Sequence, residues 1–321
     1  MHLRFQFTIQ ASCTSLQIRD GNEKINFFTP DSRTFGKESM SPASPLPAGS
    51  KLWEYKLLDL GTLDIDASYV LSGANVPSSG RPTQVHESRP CLMIAALLYH
   101  PSTGLILFDT GSCEDIIQSW DREFLECAPR LWEKGIHSLP AAIKATGAGE
   151  ITDVKAVVMS HLHLDHAGGL EHFFQTDVEI WCHETELKNA FWASATGTDS
   201  GLFRPDYLRA DILNWKTVAE EVVEPWPGVV LHRCPGHTEG LLVVELALPV
   251  SGTVVLTGDL FHVKENYEDG KPQGFLMRDY NVWHRSRDYV HRLVQRTNAR
   301  VCLGHEKSYF DRFPEAPGFL E

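Results

Sequence analysis

The sequence lacks the features that would place it in a membrane or in a disulfide-built scaffold. No apolar run approaches the roughly 18 residues that a spanning helix needs; the longest, such as Cys91 to Tyr99, are strand-sized. No Cys-x-x-Cys pair occurs, and the seven cysteines (Cys13, Cys91, Cys113, Cys127, Cys182, Cys234 and Cys302) are odd in number and widely spaced. That argues against a thiolate zinc site and a disulfide framework, so the cysteines are expected to be small buried hydrophobes in a reducing compartment, the cytoplasm. Positive charge is scarce: 29 Lys and Arg against 42 Asp and Glu leave a formal net charge of −13. An acidic surface repels phosphate backbones, which disfavours nucleic acid as a partner. No fixed-period repeat of solenoid type is present. The stretch from Phe5 to Ile9 is too short, and too interrupted by Gln6 and Thr8, for a secretory signal.

What is present divides into two parts. Residues 1–50 end in a stretch, 29–50, rich in Pro, Ser and Gly that buries too little to offset ordering entropy, and they are expected to be a disordered leader. Residues 51–321 read as one folded domain, long enough to bury a core without metal or disulfide staples. Expected strands are 53–60, 69–71, 92–99, 105–108, 154–159, 178–182, 229–233, 241–248, 253–257 and 300–303. The runs 92–99 and 105–108 flank a Pro/Gly turn and read as a buried hairpin. Helices are expected within 115–139, where an apolar face looks exposed, and at 184–194 and 288–298. Strand-rich halves with helices between them imply an α/β fold of two packed sheets with helices outside, a four-layer αββα sandwich.

The chemistry is concentrated after strand ends. Ser160-His161-Leu162-His163-Leu164-Asp165-His166 places four imidazole or carboxylate groups within six residues, directly after one apolar strand. Alternation in an extended loop brings His161 and His163 together. Imidazole and carboxylate at this density suit zinc, with iron or manganese as alternatives. Ala167-Gly168-Gly169 then lets backbone pass close by. His237, Asp259 and His305 each follow a glycine and a short apolar strand, and rigid strand ends can aim side chains at a common point.

The motif HLHLDH at 161–166 resembles the HxHxDH signature of the metallo-β-lactamase superfamily. Within it, the chain looks most like the quorum-quenching N-acyl homoserine lactonases, and it is also similar to fungal γ-lactamases of the same fold. The spacings fit: 71 residues from His166 to His237, 22 to Asp259 and 46 more to His305. So do the segments starting at Lys51 and Lys264, and Phe108-Asp109-Thr110-Gly111. The resemblance spans about residues 51–313. It implies one metal bound by His161, His163 and His237, a second by Asp165, His166 and His305, and Asp259 bridging. It also implies that Asp109 orients a ligand histidine. One position departs: three residues after the bridging Asp the lactonases have a tyrosine that contacts the substrate carbonyl, and here it is His262.

The function expected from the resemblance is a dinuclear zinc hydrolase that opens a cyclic ester by attack of a metal-bridging hydroxide. Asp165 would move the proton to the leaving group and His262 would stabilise the oxyanion. The alternative is a lactamase opening a cyclic amide or carbamate. A thioester hydrolase of glyoxalase II type shares Pro235-Gly236-His237-Thr238 but usually carries basic residues near the C-terminus, where 310–321 holds only Arg312. Redox di-iron proteins of this fold typically carry Glu in the first motif. Aromatic residues of 115–139 and 191–215, including Trp120, Phe124, Trp132, Trp192, Phe203, Tyr207 and Trp215, could wall a substrate pocket. Partners would be a small cyclic substrate and at most a second copy of the chain, with no nucleic acid and no membrane.

Overall fold

The computed structural model describes residues 53–80, 82–199, 201–248 and 252–313, all within one unit spanning 43–321. The expected leader, 1–50, lies outside the described residues, as does Cys13.

The strands in chain order are β1 (Glu54–Asp66), β2 (Ser88–His100), β3 (Gly104–Phe108), β4 (Arg130–Leu131), β5 (Val154–Val158), β6 (Glu179–His183), β7 (Asn214–Val218), β8 (Val222–Trp226), β9 (Val229–Arg233), β10 (Leu242–Leu248), β11 (Gly252–Leu256) and β12 (Arg300–Cys302). They form two sheets, ordered β4-β1-β2-β3-β5-β6-β7 and β12-β11-β10-β9-β8. β2 and β3 form the expected antiparallel hairpin, with His100 opposite Gly104 and Ala96 opposite Phe108.

The layers follow from side-chain alternation. Ile106 and Phe108 point between the sheets and meet Leu231, Val244 and Leu256 of the second sheet. Leu105 and Leu107 point the other way, into a core with Ile143, Phe173 and Ala190 from helices on the outside. On the outer face of the second sheet, Val243, Val255 and Val301 meet Trp283, Val290 and Leu293 of the helix Tyr280–Thr297. Strands covered on both faces need no polar face, which is why β3 and the stretch 91–98 of β2 read as continuous apolar runs. The architecture is the αββα sandwich that the strand pattern implied.

Three expectations are corrected. The strand expected at 69–71 is a short helix, Ala67–Val70, because the Asp66 carboxylate accepts the Ser68 amide at 2.8 Å and turns the chain out of β1. The apolar face of 115–139 is not exposed as a whole: Trp120 and Phe124, 4% and 8% exposed, pack into the outer core of the first sheet, while Ile117, Leu131 and Ile136 remain outside. The helix expected at 288–298 begins at Tyr280, where Asp279 caps it by accepting the Val282 amide. β7 and β8 were not foreseen; both are largely exposed and mix polar with apolar residues.

One consequence matters for chemistry. β3 and β5 run parallel, as do β11 and β12. β9 and β11 are each antiparallel to β10 and so share a direction. The segments carrying Asp109, 161–166, His237, Asp259 and His305 therefore leave the carboxyl ends of β3, β5, β9, β11 and β12.

Candidate metal centre

All seven expected ligands meet at this edge, with His262 beside them. His237 Nε2 stands 3.2 Å from His161 Nε2 and 3.1 Å from His163 Nδ1. His166 Nε2 stands 3.3 Å from His305 Nε2, and Asp165 Oδ2 is 3.5 Å from His305 Nε2. Between the two groups lies Asp259. Its Oδ1 is 3.1 Å from both His166 Nε2 and His305 Nε2, and its Oδ2 is 3.5 Å from His237 Nε2 and 3.8 Å from His161 Nε2. His262 Nε2 is 3.1 Å from Asp259 Oδ2.

The hydrogen bonds at the back of each ring fix which nitrogen faces inward. Ser160 Oγ donates to Asp109 Oδ2 at 2.7 Å, so it accepts the Nδ1 proton of His161 at 2.9 Å. His166 gives its Nδ1 proton to Asp109 Oδ2 at 2.9 Å, and His305 gives its own to the Leu92 carbonyl at 2.9 Å. The Gln273 amide nitrogen donates to the carbonyls of Asp259 and Leu260, leaving its oxygen to accept from His237 Nδ1 at 3.2 Å. Four rings therefore aim Nε2 inward, where each offers a lone pair when neutral.

Facing lone pairs just over 3 Å apart repel unless a cation lies between them. Ligand nitrogens around a tetrahedral zinc, at zinc–nitrogen distances near 2.05 Å, are separated by roughly 3.3 Å. The observed 3.1–3.3 Å separations match that edge. The buried nitrogens of His262 and Nε2 of His163 find no hydrogen-bond partner among the described residues. The donors fall into overlapping groups that could hold metal: His161, His163 and His237; His161, His166 and Asp259; Asp165, His166 and His305; and His237, Asp259 and His262.

Electrostatics keep the first triad in ligand form. Burial, reinforced by neighbouring imidazoles, holds His161 and His163 well below the ordinary histidine value and pushes His237 down to about 3. Burial works to raise the Asp259 carboxyl, but the surrounding His166, His305 and His262 outweigh it and hold it well below the carboxylate range.

Glycines make the convergence sterically feasible. A Cβ on Gly168 would lie 2.1 Å from the Cys113 amide nitrogen, and one on Gly304 would lie 2.5 Å from Asp259 Oδ1. The aromatic wall is only partly realised. Phe203, 2% exposed, lies with its ring centroid 4.7 Å from that of His163, tilted by 59°. Tyr207 is buried and donates its hydroxyl to the Leu162 carbonyl, Trp192 faces solvent, and Trp120 and Phe124 pack on each other in the core. Ser160, Gln273 and Glu186 support the centre and were not singled out from the sequence. Ser160 adjoins the motif; an isolated Gln or helical Glu carries no signal of its own. The six described cysteines are free, and five of them are buried.

Comparison with known proteins adds to this geometry. The family model described as the metallo-beta-lactamase superfamily matches residues 89–305. The N-acyl homoserine lactonase AiiB of Agrobacterium fabrum is 26% identical over 283 residues, 85% of this chain and 100% of that protein. An N-acyl homoserine lactonase of Bacillus cereus is 30% identical over 223 residues, 67% of this chain and 82% of that protein. The fold is shared with a crystal structure of a Bacillus thuringiensis AiiA mutant with N-decanoyl-L-homoserine bound at its active site. The TM-score is 0.69 at 24% identity, covering 84% of this chain and 99% of that one.

Proposed function

The chain belongs to the metallo-β-lactamase superfamily and is a metal-dependent hydrolase, and on that premise we propose that it opens a cyclic ester of the N-acyl homoserine lactone type with two zinc ions. The observation that carries the proposal is the pair of triads joined by Asp259, in a chain whose relatives over most of their length are lactonases. In this reading His161, His163 and His237 would hold one ion, Asp165, His166 and His305 would hold the other, and Asp259 would be shared between them. Iron or manganese would suit the same donors.

Bound zinc ions would supply Lewis acidity toward the ester carbonyl and hydroxide at neutral pH. The residues of the chain do the rest. Asp165 is the proton shuttle: its side chain is 14% exposed, against 0–3% for the other carboxylate and the imidazoles of the cluster, so it alone combines contact with the cluster and access to an incoming ring. It passes a proton to the ring oxygen as the ester bond breaks. His262, buried beside Asp259 where the similar lactonases have tyrosine, donates a hydrogen bond to the oxyanion. Phe203 forms an apolar wall at His163. The free cysteines fit a cytoplasmic location, and among the described residues no helix is long and apolar enough to cross a membrane.

The test is turnover of a panel of acyl homoserine lactones, simple lactones and bicyclic lactams by metal-replete protein, before and after chelation, with metal analysis. Chelator-sensitive opening of acyl lactones supports the proposal. Opening of lactams without lactones would transfer the activity to cyclic amides, and chelator-insensitive turnover would reject a metal role.

A further inference from the structure

Glu186 lies in the first turn of the helix Glu184–Thr196 and is fully buried. Its Oε1 accepts the Leu162 amide at 3.0 Å and its Oε2 accepts the Gly240 amide at 2.9 Å. Those two amides belong to different loops from different sheets. Leu162 lies between His161 and His163, after β5 of the first sheet. Gly240 lies three residues beyond His237, after β9 of the second. The approach is close: a Cβ on Gly240 would stand 2.4 Å from the Glu186 amide nitrogen.

Burial removes competition from water for the two amides that the carboxyl oxygens accept, and the bonds strengthen further when the carboxyl ionises. One carboxylate thus ties together the loops bearing all three imidazoles of the first triad. The second triad is braced by other groups, Asp109 behind His166 and the Leu92 carbonyl behind His305.

We propose that Glu186 is a positioning residue that sets the geometry of the His161, His163 and His237 triad alone, by holding the 161–163 and 237–240 loops on one carboxylate. The inference rests on the two-ion reading above. Glu186 touches no reacting atom; it acts through the backbone of the loops. A glutamine there keeps one acceptor oxygen and turns an NH2 group toward the other amide, so one loop loses its anchor. Partners of this kind change metal affinity by about 10- to 100-fold when lost.

The experiment is a zinc titration of the metal-free full chain against a chromogenic chelator. Wild type should take up two equivalents; if it does not, the two-ion reading fails before any variant is made. With Glu186→Gln, one equivalent should weaken by about 10- to 100-fold while the other keeps its wild-type affinity. Gly240→Ala, which presses on the same contact from the opposite loop, should reproduce the one-site pattern and decides the matter if Glu186→Gln does not fold. If the carboxylate only stabilises the fold, Glu186→Gln would lower the melting temperature of metal-free protein and weaken both equivalents together. That result, or two unchanged affinities, overturns the proposal.

Discussion

Oδ2 of Asp109 lies 2.9 Å from Nδ1 of His166, across 57 residues of chain. Asp109 sits at φ +58, a left-handed conformation that costs a non-glycine residue roughly 1 kcal/mol or more. The strain aims the carboxylate at both Ser160 and His166. Asp109→Asn keeps a side chain that tolerates this backbone but loses the charge. Binding of one zinc equivalent should weaken by about 10- to 100-fold, read by chelator competition; wild-type affinity would show that Asp109 does not orient His166.

Asp165→Asn should retain zinc, since an amide oxygen can still ligate, and lose turnover. General acid–base catalysis contributes about 100- to 10,000-fold. Metal content by elemental analysis and kcat on a lactone substrate check this, and full turnover with both ions bound would remove Asp165 from proton transfer.

Gly304→Ala introduces a Cβ 2.5 Å from Asp259 Oδ1 and 2.7 Å from the Gly258 carbonyl. Neither neighbour is free to retreat, so the carboxylate shared by both triads must move. The purified variant should contain less than the wild-type complement of metal while its far-ultraviolet circular dichroism is unchanged. Retention of both ions would show that the loop can yield.

The Glu186 carboxyl gives the metal-free protein a pH signature. Burial, opposed by hydrogen bonds from Thr238 and the amides of Leu162 and Gly240, pushes it up from 4.5 to about 7. A carboxyl raised in the fold holds its proton more tightly folded than unfolded. Its stabilising contribution is therefore full below the unfolded value and fades as pH rises toward the folded one. Between pH 4.5 and 7, metal-free wild type should lose stability relative to Glu186→Gln, by at most about 1.4 kcal/mol per pH unit. Urea denaturation of both proteins measures the difference; parallel pH profiles would contradict it.

Trp120→Ala should destabilise the protein by about 3–5 kcal/mol without raising KM, because Trp120 is 4% exposed and packed against Phe124. Urea midpoints and Michaelis constants separate the two effects. A raised KM at unchanged stability would return Trp120 to the pocket wall.

The sandwich and the cluster of candidate metal donors were legible in the sequence for one reason: both are written in short-range patterns. Strands buried on two faces are mostly apolar, and 156–158 or 254–256 could be little else. Four donors in six residues at 161–166 declare a ligand loop without any knowledge of the fold. Elements with half-exposed faces were not legible. β7 and β8 mix polar and apolar residues because they are solvent-accessible, and the inward face of 115–139 depends on where the first sheet lies.

The sequence by itself marked the candidate donor side chains, since donor types and their positions after strands are properties of the chain. Tertiary structure alone decided how those donors are held. Gln273 and Glu186, which the sequence did not mark, act from 14 to 54 residues away from the groups they brace. Hydrogen bonds of that range leave no periodicity behind, and they exist only once the strand ends of two sheets have been brought to one edge.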